Sequence, residues 1–496
     1  MTNYTKYAVK GASTVFIISI LAAFLGYFVR VILARNLTME DFGLFYAVFA
    51  FLGLFGIFKS LGFDKALAKF IPEFIHKKEK YYIKSSIIYV ASIQLVTNLI
   101  IITVIYLLSD FLAVHFFKNS QAGIVLRLMA ISFFIDSFVL ALKFAFQGFK
   151  KMICFSGIDF IRMLLITGVI LIGFKLNYGI FSPLIAYIVV PAFLIIVFGW
   201  ILVGNIFPEF FKSKFTLNKT LLKRISKYSI FVLATTVGGV ILGYTDTIVL
   251  TYFVGLTNVA LYSVALPTSK IFLYFPRAIG AILLPLTSEF WVKRKKKLLR
   301  AGIESLYKYS MIIIVPAVLI MFSFTELLIT VFFGKPYILA SNALKILSIG
   351  MLFTALYGIN INFFAGIGKP QINSKIVYTA AIFNLITNLI LIPILGIIGA
   401  AITTTLSYFI MMVMGLVNIR KFIKMKFPIP IWIKTLIAGI IFVFIIWILK
   451  KIIFINVWLE TAIVLIISGT LYIALLFLLK IVNIAELKDL YKRIVK

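Results

Sequence analysis

The chain has 496 residues, 63% of them hydrophobic, and a formal net charge of +33. Soluble domains carry about 45–50% apolar residues, so this composition excludes an ordinary soluble protein and indicates an integral membrane protein. No nucleic-acid-binding motif accompanies the charge, so no nucleic acid partner is expected. One cysteine, Cys154, and two histidines, His76 and His115, exclude a disulfide framework, a Cys-based metal cluster and a His-based zinc site.

The N-terminal sequence MTNYTKYAVKGAS lacks a short apolar core followed by a cleavage site, so the first apolar stretch reads as the first span. A crossing helix needs about 20 apolar residues. Fourteen stretches qualify: 11–35, 41–62, 82–109, 121–147, 153–175, 180–206, 227–252, 258–289, 302–324, 337–366, 372–393, 397–420, 429–449 and 456–480. The segments near 63–81 and 207–226 are the longest connections and are too small for catalytic domains. No nucleotide-binding loop is present, and no enzymatic activity is expected. Residues 485–496 read as a short amphipathic helix on the inner membrane surface.

With both termini in the cytoplasm, 33 Lys and Arg residues fall on cytoplasmic segments and six on outer ones. That bias sets the orientation of a multi-pass protein of the cell membrane. The run Lys293–Lys297 is a topology determinant with anionic-lipid contact.

An internal repeat runs at a nearly constant offset. Leu25-Gly26-Tyr27 recurs as Leu242-Gly243-Tyr244, Leu126-Arg127 as Leu344-Lys345, and Phe146-x-Gly148-x-x-Lys151 as Phe364-x-Gly366-x-x-Lys369. Six spans separate the matches, so the halves share orientation and a pseudo-twofold axis along the membrane normal is expected. The domains are therefore an N-lobe at 1–206, a C-lobe at 207–425, two extra spans at 426–481 and a cytoplasmic tail at 482–496.

Ten cations lie inside the apolar stretches: Arg30, Lys59, Arg127, Lys143, Arg162, Lys270, Arg277, Lys308, Lys345 and Lys434. Three carboxylates join them: Asp136, Asp159 and Asp246. A charge at membrane depth costs roughly 2.5–3.5 kcal/mol on insertion scales and by default faces a cavity or bundle interior. Such an excess of cations points to an anionic cargo. Lys270 and Arg277 are seven residues apart, on one face of a continuous helix. Asp246 is expected to pair with Arg30 or Arg277, or to bind a coupling Na+ or H+; no other cofactor is expected. Asp159 and Arg162, three apart, are expected to pair within their helix. Asp136 and Lys143 share a face but sit too far apart to pair. Arg127, Lys345, Lys308 and Lys434 read as interface anchors. Pro267, Pro276 and Pro285 punctuate the eighth span, and Gly26 and Gly243 occupy matched places on the first and seventh. These five positions are expected to let helices bend.

The stretches LARNLTMEDFGLFYAVFA at 33–50, SLGFDKALAKFIPEF at 60–74 and NLITNLILIPILGIIGAAITTTLSY at 384–408 carry a resemblance. Over about residues 5–425 the chain resembles the polysaccharide-transporter branch of the multidrug/oligosaccharidyl-lipid/polysaccharide exporter superfamily. The resemblance implies an all-α polytopic fold of two six-helix lobes in a V, with spans 1, 2, 7 and 8 lining a central cavity, and alternating access. It implies a flippase that moves a polyprenyl phosphate- or diphosphate-linked oligosaccharide to the outer leaflet. Basic residues on spans 1, 2 and 8 line the cavity of lipid II flippase relatives, and Arg30, Lys59 and Arg277 are the nearest equivalents for holding the phosphate. Lys270 joins them on its helical face alone. The expected partners are the lipid-linked oligosaccharide and membrane lipids, and the expected state is a monomer. The alternative is an ion-coupled drug or metabolite antiporter of the same superfamily, which the shortage of intramembrane acids disfavours.

Overall fold

The computed structural model of the chain describes residues 3–453 and 456–483, apart from the side chains of residues 3–14, 275–279, 281 and 282. The expected tail helix at 485–496 lies outside the described residues. Every regular element among the described residues is helical. They run α1 (Asn3–Asn36), α2 (Met39–Ser60), α3 (Phe63–His76), α4 (Lys80–His115), α5 (Ala122–Gly148) and α6 (Met152–Lys175). Then come α7 (Phe181–Ile201), α8 (Lys219–Phe253), α9 (Leu256–Ser269), α10 (Tyr274–Val292), α11 (Lys296–Ser323) and α12 (Thr325–Phe332). The last are α13 (Ala340–Gly366), α14 (Pro370–Leu395), α15 (Ile397–Arg420), α16 (Ile429–Ile452) and α17 (Val457–Leu478).

Among the described residues, 13 helical stretches are long and apolar enough to cross a bilayer. They coincide with all of the expected spans but the eighth. There the chain forms α9, a 3₁₀ turn at Lys270–Leu273, and α10. Pro267 and Pro276 bracket that turn, and each removes a backbone donor from the helical ladder. A 3₁₀ turn advances three residues per turn rather than 3.6, so the helix between Lys270 and Arg277 is not the continuous α-helix expected.

The segment expected as a loop near 63–81 is instead largely α3. Its apolar residues Phe63, Ala66, Leu67, Phe70, Ile71 and Phe74 recur at helical spacing, and all are buried. The break before it falls at Leu61 and Gly62, both in the left-handed region at φ 49° and 78°. A Cβ at Gly62 would lie 2.6 Å from the Ser229 carbonyl of α8, so the turn needs glycine for both conformation and space.

The chain divides into two compact units. One comprises Met1–Pro267, Phe332–Tyr337 and Val377–Thr403; the other comprises Thr268–Val331, Ile338–Ile376 and Thr404–Lys496. Within the first, α5 packs on α3, α4 and α7, α6 on α1 and α7, and α2 on α8. Within the second, α13 packs on α10 and α11, and α16 joins α11 to α17. Phe442, Ile446, Val464 and Tyr472 form a core there with Ile312.

A helix crossing hydrocarbon must satisfy every backbone group internally. A proline frees the carbonyl four residues before it, and three such carbonyls find side-chain donors. Ser132 Oγ donates to Tyr187 O at 2.6 Å, answering Pro191. Arg30 Nη1 donates to Ser263 O at 2.5 Å, answering Pro267. Tyr472 Oη donates to Ile312 O at 3.3 Å, answering Pro316. The prolines are thus tied to partners on other helices.

Among the described glycines of the first unit the tightest site is Gly43 of α2, where an added Cβ would lie 2.0 Å from the Leu256 carbonyl of α9. Gly43→Ala is expected to force the two backbones apart at a cost of about 1–3 kcal/mol, the usual range for overpacking. Gly168→Ala, with open space around its Cβ position, is expected to leave the melting temperature of the detergent-purified protein unchanged or slightly raised. Equal melting of the two variants would refute the close approach.

Candidate functional site

Two cations from two helices of the first unit meet at the carboxylate of a third, Asp136 of α5. Lys59 lies in the last turn of α2 and is 9% exposed. Its Nζ donates to Asp136 Oδ2 of α5. Arg162 of α6 places Nη1 2.6 Å from Asp136 Oδ1. A neighbouring pair, Lys143 of α5 with Asp159 of α6, continues the network. Asp159 and Arg162 therefore do not pair within their helix as expected. Each reaches across the hairpin turn at Lys150–Lys151 to an opposite charge on α5. Antiparallel helices bring together residues at similar distances from their turn, and Asp136 with Arg162 and Lys143 with Asp159 satisfy that rule.

Asp136, Lys59 and Arg162 line a cavity of ≈ 340 Å³. Phe133, Met163, Tyr187 and Tyr244 supply most of its remaining wall, with Gly53 and Gly56 opening space on α2. A Cβ at Gly53 would meet the Tyr244 ring at 2.5 Å, so glycine lets Tyr244 of the repeated Leu-Gly-Tyr motif reach the wall. Aromatic rings hold the cations: Phe133 lies 4.6 Å from Lys59 Nζ, and Phe155 lies 4.9 Å from Lys143 Nζ. Two cations against one carboxylate leave the triad one positive charge in excess, in a site largely shielded from water. Arg162 also keeps a buried Nε without a hydrogen-bond acceptor, which leaves part of its donor capacity unused.

The other expected phosphate-binding residues are placed differently. Arg30 stacks 4.0 Å from the centre of the Tyr46 ring and holds the Ser263 carbonyl. Tyr46 packs edge-on against Phe45, and Phe45 against the cavity residue Tyr187, at 5.2 and 5.7 Å. An aromatic wall thus connects Arg30 to the cavity without making it a lining residue. Lys270 belongs to the second unit, in the 3₁₀ turn. Arg277 and Pro276 lie in α10, where their side chains fall outside the described set. Pro285 lies inside α10. Gly26 and Gly243 lie within uninterrupted helices; Gly26 backs onto Met163 of the cavity wall at an ordinary 3.6 Å, and Gly243 faces open space.

Asp246 of α8 is 3% exposed and sits in a polar cluster within the first unit. Tyr262 Oη donates to its Oδ2 at 2.5 Å and Asn388 Nδ2 to its Oδ1 at 2.6 Å. Thr403 Oγ1 donates in turn to Asn388 Oδ1, and Asn384 Oδ1 accepts from Asn388 Nδ2 at 2.9 Å. Asp246 is therefore a buried carboxylate that accepts from a phenol and an amide, with further amide and hydroxyl oxygens beside it. Among the described residues, no three His, Cys, Asp or Glu side chains gather as a metal group.

Two of the expected interface anchors carry acidic partners. Arg127 Nη2 lies 2.5 Å from Asp110 Oδ2, and Lys345 Nζ lies 3.3 Å from Glu326 Oε1. Asp110 and Glu326 are themselves repeat-matched, so the internal repeat extends to an ion pair in each unit. Lys434 donates to the Leu479 carbonyl at 3.0 Å, an exposed position.

Asp136→Asn is expected to leave Lys59 and Arg162 facing each other uncompensated. Removing one partner of a buried ion pair costs about 3–5 kcal/mol, so a clear fall in melting temperature is expected, partly recovered by adding Lys59→Met. A melting temperature equal to wild type would contradict the shared-carboxylate arrangement.

Comparison with known proteins places this geometry in a family. Residues 8–291 match the family model described as polysaccharide biosynthesis protein, and residues 240–394 match the MatE model. The chain is 36% identical, over 507 aligned residues covering 100% of both proteins, to an uncharacterized membrane protein of Methanocaldococcus jannaschii. It is 24% identical, over 84% of each chain, to a Haloferax volcanii protein named a probable low-salt glycan biosynthesis flippase. Among solved structures its fold is similar to that of the lipid II flippase MurJ in an inward closed conformation. That match has a TM-score of 0.75 at 16% identity and covers 98% of this chain and 100% of the other. An inward-facing multidrug resistance MATE family transporter gives 0.69 at 16% identity, over 83% of this chain and 97% of the other. The chain belongs to the polysaccharide biosynthesis protein family, in the polysaccharide-transporter branch of the multidrug/oligosaccharidyl-lipid/polysaccharide exporter superfamily.

Proposed function

We propose that this protein is a flippase that carries a polyprenyl phosphate- or diphosphate-linked oligosaccharide from the cytoplasmic to the outer leaflet of the cell membrane. The observation that carries the reading is the cationic cavity: Lys59 lines a walled space of ≈ 340 Å³ beside Arg162, with one positive charge in excess. A phosphate cannot enter hydrocarbon unaided, and a carrier must offer it cations in a sheltered path. Family membership and the flippase named among the relatives support the same reading.

In this reading both termini are cytoplasmic, as the 33-to-6 charge bias requires. The repeat halves 1–206 and 207–425 alternate the open side, with Gly26, Gly243, Pro267, Pro276 and Pro285 as bending points. Of the expected cations, Lys59 lines the cavity and attracts the phosphate. Release requires that its affinity differ between the two states, since equal affinity would shift nothing. The Asp246 cluster is the coupling site, its oxygens taking Na+ or its carboxylate taking H+.

An ion-coupled drug or metabolite antiporter of the same superfamily is the second reading, favoured by the MatE match over 240–394. Purified protein in liposomes is expected to move a labelled polyprenyl-diphosphate oligosaccharide across the bilayer and to leave cationic dyes in place. Dye movement without lipid movement would overturn the flippase reading. Asp246→Asn is expected to abolish the dependence of transport on the Na+ or pH gradient. An unchanged gradient response would remove Asp246 from coupling.

A further inference from the structure

Arg162 has an unusual environment for a residue whose only task is to close an ion pair. Its Nη1 lies 2.6 Å from Asp136 Oδ1, yet that oxygen makes no aligned hydrogen bond, and Arg162 Nε has no acceptor. A planar guanidinium offers five donors in a rigid fork, and a carboxylate in register with it takes two in parallel. Here one oxygen of Asp136 goes to Lys59 and the other meets Arg162 off-axis. The carboxylate is shared rather than fitted. All three groups line the same cavity, so a ligand has access to them without unfolding a helix contact.

Charge matching points the same way. Two cations facing one carboxylate are better answered by a group with two negative charges and several acceptor oxygens. A phosphate or diphosphate has both, and arginine binds such oxygens through its fork while lysine acts as a point charge. Tyr187 and Phe133 line the space, and aromatic walls in place of water keep the local dielectric low and the attraction strong. A cavity of this volume is at the lower end of the range for small-molecule sites, about 300–1,000 Å³, enough for a phosphorylated headgroup rather than a whole glycan.

We propose that Arg162 and Lys59 form an anion-exchange site: Asp136 occupies them in the resting protein, and a phosphate or diphosphate group takes its place when cargo binds. The proposal rests on the flippase reading for its ligand class and adds Arg162 as a substrate-binding residue and Asp136 as the internal anion that is displaced. Asp136 then has a second role. Once the phosphate leaves, the carboxylate returns to the cations, which favours release over tight retention.

The test is equilibrium binding to the full chain in lipid nanodiscs, with two probes: polyprenyl diphosphate presented in the bilayer, and inorganic pyrophosphate in solution. Arg162→Gln is expected to weaken polyprenyl diphosphate binding by at least about tenfold, the loss of one charge-assisted contact. Arg162→Lys is expected to weaken it less. Asp136→Asn, although less stable alone, is expected to bind several-fold more tightly, and the probe is expected to raise its melting temperature more than that of wild type. A purely structural pair leaves the affinity of Asp136→Asn unchanged or lower, so that arm decides even if Arg162→Gln folds poorly. Binding of pyrophosphate with the same ranking assigns recognition to the phosphate oxygens alone; binding only of the lipid probe assigns it to the headgroup held at the bilayer. Unchanged affinity in Arg162→Gln with intact transport overturns the exchange site and leaves the flippase reading standing. Wild-type protein that neither binds a probe nor moves the lipid-linked glycan overturns both.

Discussion

Burying a charge in a membrane protein is tolerable only if something nearby answers it, and this chain carries more cations at depth than acids to answer them. The first unit resolves the shortage by sharing. Lys59 and Arg162 both lean on Asp136, while Asp159 takes Lys143. Charges at membrane depth pair with one another in this way. The leftover positive charge lines a cavity, where the proposed function gives it an anion to bind. The helices that make the cavity are therefore constrained as a set. α5 and α6 must stay in hairpin register, and α2 must end where Lys59 can reach across.

The prolines follow the same logic of satisfied polar groups. Within hydrocarbon a freed carbonyl has no water to turn to. Ser132, Arg30 and Tyr472 each supply the missing donor from another helix, so a break in one helix becomes a tether to a second. Arg30 is the most consequential of the three. Its guanidinium anchors the backbone before Pro267 and stacks on Tyr46 at once, linking the first span to α9. A residue expected to meet phosphate is thus also part of the scaffold that sets the break.

Much of the architecture is readable from residues alone, because the relevant signals are local. Apolar runs mark the spans, and the constant offset between Leu25-Gly26-Tyr27 and Leu242-Gly243-Tyr244 marks the repeat. The amphipathic spacing of α3 was also present in Phe63, Leu67, Phe70 and Phe74, but a segment rich in lysine between spans reads as a loop. The eighth span's prolines foretold a break without showing that it would take the form of a 3₁₀ turn between Lys270 and Arg277. Pairings were harder. Asp159 and Arg162 satisfy the spacing rule for an intrahelical pair, and only the register of α5 against α6 shows that each prefers a partner across the turn. That register depends on side-chain packing along the whole hairpin, which no short window of sequence contains. Gly43 and Gly53 were likewise indistinguishable from other glycines until the approaching carbonyl and ring were in place.

The most direct measurement is an experimental structure of the protein with polyprenyl diphosphate bound in a nanodisc. The account expects phosphate density within hydrogen-bonding distance of Arg162 and Lys59, with the Asp136 carboxylate withdrawn from both. A diphosphate resolved elsewhere, with the Lys59–Asp136–Arg162 contacts intact, would contradict it.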